Sequence, residues 1–199
     1  MARIQPSWLA PNRASGSKLQ SKMVDFAYVL QPSPATQAGF RNLEVEVDAP
    51  CESFNHTCHN TIIDKPIAIS IETKSGTAAG DAGLTQLSIW VRAHISKLNR
   101  LLRSAGREEG TAALLPPLPL VIAHGNQWQF LFAVEDASLG TLTLYRYCND
   151  LPTTTSFGIY KTIAALQLLL HYAQTRIRPW FEVNALPLTS EQRIVLRHT

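Results

Sequence analysis

Residues 66–74 read PIAISIETK, a β-branched apolar run that ends on two opposite charges. Such a run makes a strand that is buried on both faces for most of its length. Side chains alternate along a strand, so Glu72 and Lys74 share one face while Ile71 and Thr73 take the other. A second apolar run, KMVDFAYVL at residues 22–30, carries a single acid, Asp25. If the two strands pair, Asp25 joins Glu72 and Lys74 at one sheet edge. Two carboxylates and an ammonium then converge where a divalent metal and a phosphodiester could sit.

The rest of the chain fits around these strands. Strand-like alternation covers Met23–Leu30, and Pro32 and Pro34 end it. Residues 35–65 form a long connection without a clear period, with a short strand at Leu43–Val47. After the strand Ile67–Thr73, Gly76, Gly80 and Gly83 mark a turn into a helix over Asp81–Ser104. On this helix Leu84, Leu87, Val91, Ile95, Leu98 and Leu102 step by three or four along one face. GREEGTAALLPPLP reads as a linker; strands follow at Leu118–Ala123 and Gln127–Val134 around the turn HGNQ, and at Gly140–Tyr147. A final helix is expected over Ser156–Ile177, with Ile159, Ile163, Leu166, Leu170, Ala173 and Ile177 buried and Pro179 as its stop. The element order predicts an α/β fold, one mixed central sheet flanked by helices.

A chain of 199 residues supports one well-buried domain, and 45% hydrophobic with 17% charged residues excludes a disordered chain. We divide it into an extended N-terminal segment (1–21), a single domain (22–181) and a C-terminal tail (182–199). No run approaches the length of a membrane span, and the N-terminus lacks a signal peptide's apolar core. Three cysteines argue against a disulfide framework. These features predict a soluble protein of the nucleus or cytoplasm. A net charge of +3 is compatible with an acidic polymer as partner without demanding one.

Phosphodiester hydrolysis needs an activated water and neutralisation of charge at phosphorus, and Mg²⁺ supplies both from a few carboxylates plus waters. Asp25 and Glu72 suit that role, and the carbonyl of Thr73 adds an oxygen. Lys74 is placed to orient or deprotonate the attacking water. An acid-x-lysine pattern also recurs by chance, and its plain alternative is a surface ion pair on a solvated strand edge.

The order strand–Asp–strand–Glu-x-Lys–helix resembles the PD-(D/E)XK nuclease superfamily, and more closely the fungal PD-(D/E)XK nuclease-like domain proteins, whose fold is restriction-endonuclease-like. The resemblance runs from about Ser15 to Phe181 through SGSKLQSKMVDFAYVL, SFNHT, KPIAISIETK, TQLSIWVRAH, LPPLPLVIAHGNQWQFLFA and GIYKTIAALQLLLHYAQTRIRPWF. It implies Mg²⁺ or Mn²⁺ held by Asp25 and Glu72, catalysis by Lys74, and a site-facing Gln86 on the following helix. It also implies a nucleic-acid substrate, DNA before RNA. Val24 stands where the superfamily name calls for proline, few residues precede the Asp25 strand, and the connection from Asp25 to Glu72 is long. A shortened chain of this kind also suits two alternatives: a non-cutting binding module, or an enzyme reusing the cleft for a small molecule of secondary metabolism.

Other residues carry weaker signals. Cys51, His56, Cys58 and His59 are zinc-ligand types at a spacing that fits no standard finger; the plainer reading is a loop in which His56 bonds to backbone. Cys148 reads as a buried thiol. His124, beside the HGNQW turn, is either a turn residue or near substrate, with Trp128 in the core. Trp90, Trp180 and Phe181 read as core. Arg92, Lys97, Arg100 and Arg103 read as a basic helix face, either solvated or set along a phosphate backbone.

Overall fold

A computed structural model describes residues 2–5, 23–41, 53–75, 80–105, 115–136, 139–147 and 149–186. Its centre is β4 (Ile67–Lys74), whose first four residues are buried. On one side β4 pairs antiparallel with β3 (Phe26–Val29), and on the other it runs parallel to β5 (Leu118–His124). β6 (Gln127–Asp136) and β7 (Thr141–Arg146) continue the sheet antiparallel, and β8 (Leu151–Pro152) pairs with β6. The order is therefore β3-β4-β5-β6-β7.

A parallel pair cannot be joined by a hairpin, so the chain must cross over one face of the sheet. Helix α2 (Gly80–Ser104) makes that crossing. Leu87, Trp90, Val91, Ile95, Leu98 and Leu102 meet Ile67, Leu120, Ile122 and Leu131 in the main core. Leu84, expected on that stripe, is 39% exposed, because Gly83 takes the sheet-facing position in that turn, beside Ile122. The opposite face carries α3 (Ser156–Tyr172), which starts behind a Thr155 side chain that accepts the Gly158 N–H. Leu169, Ala173 and Ile177 pack there against Ile69, Val121 and Phe130.

Several expectations need correction. The strand over Met23–Leu30 breaks at Asp25. Residues before it form β2 (Met23–Val24), which pairs with β1 (Ala2–Arg3), and residues after it form β3. Ile4 and Gln5, in the expected extended N-terminal segment, are consequently buried. The connection after β3 contains a helix, α1 (Pro34–Arg41). Ser33 caps it by accepting the Thr36 N–H at 3.2 Å, and Pro34 takes the first helical position, where its missing N–H costs nothing.

The phase of α3 also differs from the reading. Its buried residues are Gly158, Thr162 and Leu169, while Ile159, Ile163 and Leu170 are exposed. Pro179 does not stop the helical run. A π turn, π1 (Ala173–Ile177), precedes a new helical turn, α4 (Arg178–Trp180), so Pro179 falls in a first turn that requires no N–H. A second π turn, π2 (Phe181–Ala185), occupies the start of the expected tail. The strand expected at Leu43–Val47, Cys51, Gly76, Cys148 and most of the expected linker and tail lie outside the described residues. No helix among the described residues is long and apolar enough to cross a membrane.

Candidate active site

The C-terminal end of β4 carries the site. Ile71 pairs with Phe26, so one further step of the antiparallel register sets Glu72 across from Asp25. On the other side Glu72 pairs with Ile122 and Lys74 with His124. Ile122 belongs to the core beneath α2, so the period of two turns Glu72 toward the same layer. Glu72 is only 1% exposed.

Hydrogen bonds hold these groups in place. The Asp25 carboxylate accepts the Thr73 backbone N–H at 2.8 Å and the Thr73 hydroxyl at 2.5 Å, both on Oδ2. The bend in the chain at Asp25 is thereby clamped to β4. Lys74 donates from Nζ to Glu72 Oε1 and to Gln86 Oε1, the latter at 3.1 Å. Gln86 in turn donates from Nε2 to the Met23 carbonyl. This chain ties β2, β4 and the first turns of α2 around one ammonium. Gly83 faces β4 and β5: a β-carbon there would rest in ordinary contact with Ile122 Cγ2 at 3.4 Å and Lys74 Cγ at 3.5 Å.

Glu72 Oε2 is buried and has no hydrogen-bond partner. A buried carboxylate oxygen without a donor is costly, and the carboxyl responds as physics requires. Burial raises its pKa above the ordinary value, and the nearby Asp25 charge adds to the rise. The hydrogen bond and charge of Lys74, with the Asp25 backbone N–H, act against it. A divalent cation would meet the need of Oε2 directly. Asp25, Glu72 and the Thr73 carbonyl form a sparse oxygen set, which suits Mg²⁺ because that ion keeps several waters.

Asp25, Glu72, Thr73, Lys74 and Gln86 thus lie together. The Met23 carbonyl and the Thr73 hydroxyl enter the network without having been singled out from the sequence. Thr73 was singled out for its carbonyl alone, and the only signal for its hydroxyl was its place between the two charged residues. His124 is at the same sheet edge, half-buried. Trp128 is partly buried against the core under α3, and Trp90, Trp180 and Phe181 are core residues.

The remaining candidates do not assemble. Lys97 is 9% exposed and lies in the interior near His56, so the basic face is broken at its centre. Arg92 turns to the Gly140 carbonyl and sits 4.0 Å from Glu135. His56 is fully buried between Trp90 and His94, at ring separations of 4.1 and 5.2 Å; its ring nitrogens, expected to bond backbone, have no partner. His59 shares a hydrogen bond with the Thr61 hydroxyl, and Cys58 is disulfide-bonded despite the odd cysteine count. Among the described residues no group of three or more His, Cys, Asp or Glu is placed to hold a metal ion, so zinc has no cage here.

A family model of the PD-(D/E)XK nuclease superfamily matches residues 1–178. No curated protein and no solved structure matches.

Proposed function

The chain belongs to the PD-(D/E)XK nuclease superfamily, and we propose that it hydrolyses phosphodiester bonds in nucleic acid, DNA in preference to RNA, with Mg²⁺ or Mn²⁺ held by Asp25, Glu72 and the Thr73 carbonyl. The observation that carries this reading is the unpartnered, buried Oε2 of Glu72 beside Lys74. A structural ion pair would be expected to satisfy both oxygens or to lie in water; this carboxylate does neither.

When bound, the cation supplies a water of lowered pKa and positive charge for the phosphate oxygens. The protein's own groups do the rest. Thr73 fixes the Asp25 carboxylate through Oδ2 and leaves Oδ1 outside those bonds. Lys74 spends two of its three N–H donors on Glu72 and Gln86, so the third is directed rather than free to wander. That N–H is placed to orient the attacking water or to bind a phosphate oxygen as negative charge builds. Gln86 is held by the Met23 carbonyl and acts on the reaction through Lys74.

Supercoiled plasmid incubated with the purified chain and Mn²⁺ or Mg²⁺ tests the reading. Nicking that depends on the cation and disappears in Glu72→Ala and Lys74→Ala supports it. Absence of divalent-metal binding by calorimetry, together with no cutting of DNA or RNA, overturns it.

A further inference from the structure

The outward side of α3 is the largest feature that the active site leaves unexplained. Phe157, Tyr160 and Leu168 are 69%, 72% and 69% exposed, and Ile163 is also exposed. The sheet side of the same helix is Gly158, Thr162 and Leu169. At 3.6 residues per turn, Phe157, Tyr160, Ala164, Leu168 and His171 fall along the opposite side. Helix α3 carries no carboxylate, and its only ordinary cation, Lys161, lies over the Phe157 ring at 4.4 Å from the centroid. Large apolar side chains this exposed along one helix call for cover.

The patch widens toward the sheet edge. Tyr172, one turn after Leu168, meets Phe132 edge-on, and Phe132 pairs with Tyr145 on the edge strand β7. Tyr145 is 60% exposed.

We propose that this face is a homodimer interface in which α3 packs antiparallel on α3 of a second copy. Three observations favour a second copy over a foreign partner. The stripe is close to symmetric about Ala164: a two-fold axis there sets Tyr160 against Leu168 and Phe157 against His171, large side chains flanking a small one that lets the helices approach. The stripe lacks acidic residues, so self-contact brings no carboxylates together and offers nothing to attract a basic partner. The area also suffices. Phe157, Tyr160 and Leu168 on the stripe, with Tyr145 beside it, expose roughly 550 Å² per copy, about 1,100 Å² for two, which clears the roughly 1,000 Å² that a specific interface needs.

Sedimentation velocity of the full chain over a concentration series tests this. The expected mass is twice 22.0 kDa. Leu168→Glu or Tyr160→Glu, each counted twice across the axis, weakens the dimer by about a hundredfold or more, while Arg103→Glu on exposed α2 surface leaves it intact. Ala164→Cys provides a readout that does not depend on a destabilising change: under mild oxidant it forms a covalent dimer on a non-reducing gel that the wild type does not. A mass of 22.0 kDa at every concentration overturns the proposal, including the case in which another segment or protein covers the stripe. A dimer that survives both glutamate substitutions, with Ala164→Cys no more cross-linked than wild type, overturns it equally.

Discussion

Glu72→Gln separates the burial of a charge from its use. The substitution keeps the side chain's shape but turns the ion pair with Lys74 into an ammonium-to-amide hydrogen bond, a loss of about 1 kcal/mol. It also removes a carboxylate from a position that is 1% exposed and whose second oxygen has no donor. These effects oppose each other, so the metal-free melting temperature should move by no more than about 4 °C, the shift that roughly 1 kcal/mol makes in a chain of this size. With Mn²⁺ at a hundred times its dissociation constant, the wild type gains about 2.7 kcal/mol, or roughly 5–10 °C, and Glu72→Gln gains nothing. The pH dependence has a definite sign. Burial raises the folded pKa of Glu72, so its contribution to metal-free stability is present below the unfolded value and is lost as pH rises through the raised one. In the proposed site the ligand is the carboxylate, so the Mn²⁺ shift should grow across that same window. Thermal melts at several pH values, with and without Mn²⁺, read all of these effects. The reasoning fails if Glu72→Gln keeps the wild-type Mn²⁺ shift, or if the wild type shows none at any pH.

Three further substitutions probe the supports. Gln86→Leu frees Lys74 and leaves the Met23 carbonyl without its donor; we expect a loss of about 1–3 kcal/mol in stability and, in single-turnover nicking assays, a rate at least tenfold lower with little change in DNA affinity. His56→Phe should flatten the acid side of the stability profile. Burial, then the charges of His94 and Lys97, lowers the His56 pKa, and burial takes His94 to about 4, so wild-type stability is present above the ordinary 6.5 and falls as pH drops below it. Melts from neutral to acidic pH check this, and an equally steep profile in the variant would count against it. Gly158→Ala would place a β-carbon 1.8 Å from the Pro152 carbonyl oxygen, and denaturant titration should show about 3 kcal/mol or more of destabilisation.

The parts of this molecule that could be read in advance depend on short sequence separations. Glu72 and Lys74 share a face because two residues along a strand always do, and the apolar run before them marks the strand. Asp25 needed only one assumption, that two strands pair, and the register meets it. Gln86 is different: nothing in helical periodicity selects it, and only the family resemblance pointed to it. Where the reading failed, a local signal had two meanings or a distant segment decided the outcome. Ser33 and Pro34 end a strand and also cap a helix, and the proline was read only as the first. Helix α3 carries apolar residues around most of its circumference, so its periodicity gives little phase, and Ile159 and Ile163 were as good a stripe as Gly158 and Thr162.

Lys97 shows the same limit from the other direction. On the helix alone it continues a basic row with Arg100 and Arg103, and solvent is its natural surrounding. The segment after Ser53 changes that. Asn55 accepts the Ile67 N–H and donates to the Ile62 and Lys65 carbonyls, fixing a buried loop at the start of β4. That loop lays Phe54 and His56 into the α2 side of the core. Lys97 becomes interior because residues far away in sequence cover it. At the far end of β4 Thr73 is exposed and Lys74 half-buried, while Glu72 stays buried. The loop's hydrogen bonds therefore bear on the proposed site: they anchor the buried start of the strand whose last residues carry it. Asn55→Ala should consequently lower stability, by roughly 1–3 kcal/mol for three lost bonds, without abolishing cation-dependent nicking below the melting temperature. Complete loss of nicking in a variant still folded by circular dichroism would mean that the loop shapes the site more directly than its position along β4 implies.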